Sequence, residues 1–202
     1  MGLFMMKGSL SGFQEKIGEI IRPLPLHPTH ITILSVIFAI AGSYFLWKND
    51  ALGLAFFVLA FAIDGLDGAL ARAKNLTSNF GAYLDGISDR FVEFFAILPL
   101  LFQAQLMLPS IFTLFFGTCM VSFSKAYADH REVLDSKTAS KLKTLLPRAE
   151  RVIGIFICLA LVQFNYIYEA TLLMWALAIL SAVSVIYLQF EVYSKLEKGK
   201  SG

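Results

Sequence analysis

The chain has 202 residues, of which 57% are hydrophobic and 16% charged, and its mean hydropathy is +0.68. That balance excludes an ordinary soluble domain, because apolar runs of membrane-spanning length follow one another through the sequence. The net charge of +2 says little by itself, and its distribution along the chain says more.

In chain order, residues 1–30 lack a long apolar core and a small-residue cleavage site, so no cleavable signal peptide is expected. Residues 9–22 place Leu10, Phe13, Ile17, Ile20 and Ile21 near one helical face, with Glu15, Lys16 and Glu19 elsewhere. The pattern predicts an amphipathic helix, lying on the membrane surface or packed against the bundle. Pro23, Pro25 and Pro28 then break it. With roughly 20 residues needed per crossing, six crossings are expected near 31–47, 51–71, 81–102, 109–128, 152–168 and 170–190. Asn165 to Glu169 leave little room between the last two. The polar, basic 131–147 stretch can form a short surface helix, and Pro147 lets a new helix begin. Cys119 and Cys158 lie in apolar runs and are expected as buried thiols, not as a disulfide or metal pair. The expected fold is an all-α integral membrane protein, a single domain over 1–202, with a six-helix bundle at 31–190 after the juxtamembrane helix.

With six crossings, every Lys and Arg except Lys48 falls on one side of the membrane. The positive-inside bias makes that side cytoplasmic and puts both termini there.

Inside these apolar segments lies one pattern of acids: Asp64-x2-Asp67-Gly68-x2-Ala71-Arg72-x8-Gly81-x3-Asp85-x3-Asp89. Asp64 and Asp67 share one helical face, as do Asp85 and Asp89 on the next helix. Antiparallel packing of the two helices brings the pairs together. Four carboxylates of one sign at membrane depth are costly, and hard divalent cations prefer oxygen ligands. Gly65, Gly68, Gly81 and Gly86 beside the acids allow close approach of a helix or a ligand. The simplest chemistry is a two-metal site that handles phosphate. Arg72 offers a fork for phosphate oxygens, or serves as an interfacial anchor or counterion.

This pattern resembles the signature of the CDP-alcohol phosphatidyltransferase family, and every fixed position is present. The resemblance implies that Asp64, Asp67, Asp85 and Asp89 hold two divalent ions, Mg²⁺ or Mn²⁺. It makes Asp89 also the base for the acceptor hydroxyl. Gly68, Arg72 and Ser78 would bind the cytidine nucleotide and its phosphates, with Pro28, Thr29, His30 and Ile31 near the donor. The donor would be CDP-diacylglycerol or CDP-archaeol. The resemblance also implies a homodimer.

Lys125 sits late in the fourth crossing, and Arg148 and Arg151 open the fifth. Cations at a helix N-terminus oppose its dipole. A phosphate-bearing acceptor explains them, as does positive-inside anchoring. The strings SFSKAYADH and RAERV resemble the inositol-phosphate branch of the family, which implies that Lys125, Arg148 and Arg151 bind the acceptor phosphate. That branch carries a further arginine late in the sixth helix. Here the string is YLQFEVYSK, with Lys195 as the candidate substitute. His27 and His30 could pair on zinc, but no Cys or third His lies nearby, and headgroup contact or interfacial placement is the simpler role.

The expected function is transfer of a phosphatidyl or archaetidyl group from a CDP-lipid to inositol phosphate, releasing CMP, at the cytoplasmic face of the cell membrane. Glycerol phosphate and serine are the alternative acceptors, and no nucleic-acid partner is expected. An ion or proton transporter with an aspartate relay is the competing class. Inverted repeats would mark it, and none is visible. In a cysteine-free background, thiols introduced at Met5, Ser140 and Lys198 should resist impermeant labelling from outside intact cells, and one at Asp50 should label. The opposite pattern would invert the topology.

Overall fold

The computed structural model describes residues 16–23 and 25–200, with side chains through Glu197. Among the described residues every regular element is helical. The chain divides into two compact units, Met1–Phe95 and Ala96–Gly202.

In the first unit, α1 spans Pro28–Trp47, α2 spans Leu52–Ala73 and α3 spans Asn79–Ile97, the last running just past the unit boundary. His27 caps α1 by accepting from the Thr29 amide, and Pro28 supplies the fixed φ suited to a first helical position. The chain turns through Asn49, at φ 58°, and Asp50 Oδ1 accepts from Leu52 N at 2.9 Å where α2 begins. α1 and α2 then approach closely at two glycines, Gly42 and Gly53. A Cβ on Gly53 would lie 2.6 Å from the Gly42 carbonyl oxygen and 2.8 Å from Leu46 N. Phe57 packs over Gly42, and Phe45 stacks on Phe56 with ring centroids 5.2 Å apart.

Of the 9–22 amphipathic segment, residues 9–15 lie outside the described residues. Residues 16–21 are helical. Gly18 is pressed against the Ala69 carbonyl of α2, whereas Ile20 is 74% exposed. This stretch therefore both packs on α2 and presents an apolar side chain outward.

The second unit opens with a 3₁₀ turn, Leu98–Phe102, started by Pro99. α4 spans Ala104–His130 and holds Pro109 and a π-helical stretch, Thr113–Met120. α5 is the short Ser136–Ser140, α6 spans Arg148–Gln163 and α7 spans Ile167–Lys200. Asp135 caps α5, and hydrogen bonds from Thr138, its hydroxyl first and its amide second, hold the Asp135 carboxyl below its ordinary value. The 131–147 stretch is less of a surface feature than its polarity suggests. Leu134, Ala139 and Leu142 form a small apolar cluster with Leu188 of α7. Glu191 and Ser184 on α7 accept from the amides of Lys143 and Leu146. Pro147 is the N-cap of α6, and the α6–α7 junction turns at Asn165, φ 65°.

Among the described residues four helices are long and apolar enough to cross a membrane: Pro28–Trp47, Leu52–Ala73, Ala104–His130 and Ile167–Glu197. The other two expected crossings fall on α3, which carries Asp85, Asp89, Arg90 and Glu93, and on α6, which has 16 residues. Cys158 is buried as expected, but Cys119 is exposed, which corrects the expectation of two buried thiols. An apolar run does not reveal which face packs inward, because the outer face of a spanning helix is apolar too.

The Gly42–Gly53 crossing yields a stability prediction. Gly53→Ala should destabilise the protein by about 1–3 kcal/mol, the usual cost of overpacking, read as a lower melting temperature in detergent. Gly86→Ala, where a Cβ meets nothing within 4 Å, should leave it unchanged or raise it.

Candidate active site

The acids of the first unit come from the C-terminal half of α2 and the N-terminal half of α3. The linking turn closes through Asn75, at φ 57°, and Ser78 Oγ accepts from Gly81 N at 3.0 Å to cap α3. Asp64, Asp85 and Asp89 each bring one carboxylate oxygen within 4.8 Å of the other two. Asp64 is 9% exposed, and Asp85 and Asp89 are half-buried. The Oδ1 atoms of Asp64 and Asp89 are buried and accept no hydrogen bond among the described residues, while both residues take part in other interactions.

Asp67 does not join this trio. Its Oδ2 accepts from the hydroxyl of Thr32, a buried residue of α1, and its Oδ1 accepts from Gly68 N. It forms instead part of the wall of an adjoining cavity of about 210 Å³. Pro28, Thr29 and Thr32 line that cavity from α1, Gly68 and Arg72 from α2, and Ser78, Gly81 and Asp85 from the turn and α3. Asp85 thus belongs both to the cavity wall and to the carboxylate trio.

Five residues expected near a nucleotide, Pro28, Thr29, Gly68, Arg72 and Ser78, share this one cavity. His30 and Ile31 are not part of its lining: His30 is exposed and Ile31 is 7% exposed. The glycines beside the acids are not points of helix contact. A Cβ on Gly65 or Gly86 would meet open space, and on Gly68 or Gly81 only Arg72 Nη1 or Ser78 Oγ. They keep the surroundings of the carboxylates open.

Sequence reasoning missed Thr32 and Thr77 in the lining, and gave His27, which also lines it, only a headgroup or interfacial role. Thr32 was findable, since it lies three and four residues after Thr29 and Pro28 on one helical face. It also missed Lys74, whose Nζ donates to the Leu26 carbonyl at 2.9 Å and ties down the chain before α1. Glu93 was missed as well. It is fully buried one turn beyond Asp89 and pairs with Arg90 at 3.1 Å.

The expected acceptor cations lie in the second unit. Lys125 Nζ donates to the Leu142 carbonyl at 2.7 Å. Arg148 is half-buried, and Arg151 is only 2% exposed. Lys195 stands 3.9 Å from Glu191.

The sequence profile of CDP-alcohol phosphatidyltransferase matches residues 25–186, a span that includes every acid of the site. The chain belongs to the CDP-alcohol phosphatidyltransferase family. It is accordingly a transferase of phospholipid biosynthesis and a membrane protein. Archaetidylinositol phosphate synthase of Pyrococcus horikoshii is 31% identical to this transferase over 186 residues, covering 92% of this chain and 93% of that protein. A bifunctional IPC transferase and DIPP synthase of Aquifex aeolicus is 30% identical over 173 residues, covering 83% of this chain but 39% of that longer protein. Among solved structures, phosphatidylinositol phosphate synthase of Mycobacterium tuberculosis in complex with manganese and citrate matches with a TM-score of 0.75 at 22% identity, covering 89% of this chain and 88% of that one. The same protein with CDP-DAG bound matches at 0.73 and 24%, covering 89% and 93%. At these identities the structural likeness speaks for the fold.

Proposed function

We propose that this transferase moves a phosphatidyl or archaetidyl group from a CDP-lipid to a hydroxyl of inositol phosphate and releases CMP. One observation carries the reading: a trio of carboxylates, Asp64, Asp85 and Asp89, shares Asp85 with a cavity that Arg72 also lines. Such a place can hold a pyrophosphate beside cations.

The donor set fits hard divalent ions, since all of its ligand atoms are carboxylate oxygens and three lie within 4.8 Å of one another. Asp64, Asp85 and Asp89, with Asp67 on the cavity wall, would hold two ions of Mg²⁺ or Mn²⁺. Bound there, the ions would offset the charge that develops on the leaving phosphate. Arg72 hydrogen-bonds phosphate oxygens of the donor. Gly68 leaves room beside that guanidinium, and Pro28, Thr29 and Ser78 complete the wall around the nucleotide. Asp89 takes the proton of the acceptor hydroxyl. That oxygen then bonds to the lipid-bearing phosphorus, and the bond from this phosphorus to the CMP oxygen breaks.

Lys125, Arg148 and Arg151 are assigned to the acceptor's phosphate. The likeness to the archaetidylinositol phosphate synthase of Pyrococcus horikoshii supports this, as does the cost of keeping Arg151 2% exposed among apolar helices. Lys125 would exchange its Leu142 carbonyl for phosphate when the acceptor arrives. The reading also takes α1, α2, α3, α4, α6 and α7 as six crossings of the cell membrane in one catalytic domain. Both termini and the carboxylates are then cytoplasmic, which the Lys and Arg asymmetry supports. The family resemblance supports a homodimer.

The deciding experiment is CMP release from purified protein with CDP-lipid and a panel of acceptors. Release should be fastest with inositol phosphate, stop in excess EDTA and return with Mg²⁺ or Mn²⁺. Full activity in EDTA would overturn the metal assignment, and equal use of free inositol or serine would overturn the acceptor assignment.

A pair of variants separates base from ligand. Asp89→Asn should lower turnover by roughly 10²-fold or more, the usual scale of general-base catalysis, while retaining more donor affinity than Asp64→Asn. Equal loss of donor binding in both would mark Asp89 as chiefly a ligand.

A further inference from the structure

Gly117 lies within the π-helical stretch of α4, Thr113–Met120. A Cβ placed on it would fall 2.7 Å from Arg151 Cδ, 3.3 Å from Arg151 Nε and 2.8 Å from Ser181 Oγ. Ser181, on α7, is 1% exposed, and its Oγ has no hydrogen-bond partner among the described residues. Arg151, on the first turns of α6, is 2% exposed. Three helices of the second unit therefore meet at one notch, and the side chain that fills it is an arginine.

This glycine differs in kind from Gly53. There the missing Cβ makes way chiefly for the backbone of the facing helix, Gly42 O and Leu46 N, along with the Leu46 side chain, so the glycine serves a helix crossing. At Gly117 the three nearest atoms in the way all belong to the side chains of Arg151 and Ser181. An added methyl group would move the Arg151 side chain before it moved a helix. The local backbone points the same way. A π-helical stretch abandons the regular i→i+4 register, and such stretches recur where a helix must present a particular residue at a functional site. Here the residue presented is the one with no side chain, against the most buried cation among the described residues of the unit.

We infer that Gly117, presented by the π-helical stretch, is a positioning residue that seats the Arg151 side chain and so fixes its guanidinium for the acceptor's phosphate. The inference rests on the assignment of Arg151 to that phosphate. Gly117 touches no substrate and acts through the arginine alone.

The test is a kinetic cycle on full-length protein in detergent, using CDP-diacylglycerol, inositol phosphate, and the variants Gly117→Ala, Arg151→Ala and their combination. Gly117→Ala should raise the acceptor KM roughly ten-fold, the scale of one charge-assisted hydrogen bond lost. The donor KM should stay within about two-fold, because uniform binding of the other substrate is untouched. In the Arg151→Ala background, Gly117→Ala should add nothing, the non-additivity expected of residues acting through one contact. Gly154→Ala is the structural control. Its Cβ would meet Leu177 methyl groups at 2.7 and 2.9 Å, so it should lower thermal stability without splitting the two KM values. If Gly117→Ala does not yield folded protein, Ser181→Val crowds the same notch from α7 and should give the same split. An unchanged acceptor KM in the notch variant, beside a raised one in Arg151→Ala, would overturn the inference and leave the acceptor assignment standing. Additive effects in the double variant would overturn it too. An unchanged acceptor KM in Arg151→Ala would remove the acceptor assignment itself, and the inference with it.

Discussion

The site is governed by repulsion. Three carboxylates with oxygens within 4.8 Å of one another oppose each other by about 3 kcal/mol or more per pair at an effective dielectric of about 20. Helix packing alone gives no reason to gather them. Their surroundings make sense once a cation is expected among them. Gly65 and Gly86 leave open space, and Asp67 is turned to a hydroxyl donor instead of a fourth carboxylate. The neighbouring cavity carries Arg72 on its wall. The same requirement explains why α2 and α3 are joined by so short a turn. A longer connection would let the two acid pairs drift apart, and the Ser78 cap fixes where α3 begins.

Much of this was legible in the chain. A spacing of three or four residues puts acids on one helical face whatever surrounds them, so the Asp64–Asp67 and Asp85–Asp89 pairs could be read directly. The division between them could not. Whether Asp67 stands with the trio or turns to Thr32 depends on a hydrogen bond across 35 positions, which no local pattern encodes. The glycines taught a similar lesson. Sequence marks where a side chain is missing, but only structure tells whether the gap holds a backbone, as at Gly53, an arginine, as at Gly117, or nothing, as at Gly65.

Polarity misled most in the second unit. The 131–147 stretch reads as solvated, yet three of its apolar side chains and two of its amides are bound to α7. Hydropathy averages over positions that alternate between partners and so hides a small cluster. Glu93 escaped notice for the converse reason. A single acid in an apolar run looks like an interruption, whereas here it is fully buried and paired with Arg90. The burial is one-sided, since Glu93 is enclosed while the Arg90 side chain is 33% exposed.

The two fastenings between α1 and α2 have a mechanical result. Near one end, Gly42 and Gly53 bring the backbones into contact, and near the other the Thr32 hydroxyl holds Asp67. A rod pinned at two points can neither slide nor swing against its neighbour. The cavity wall contributed by α1 and Asp67 of α2 are therefore held in one register by contacts at both ends of the helix pair.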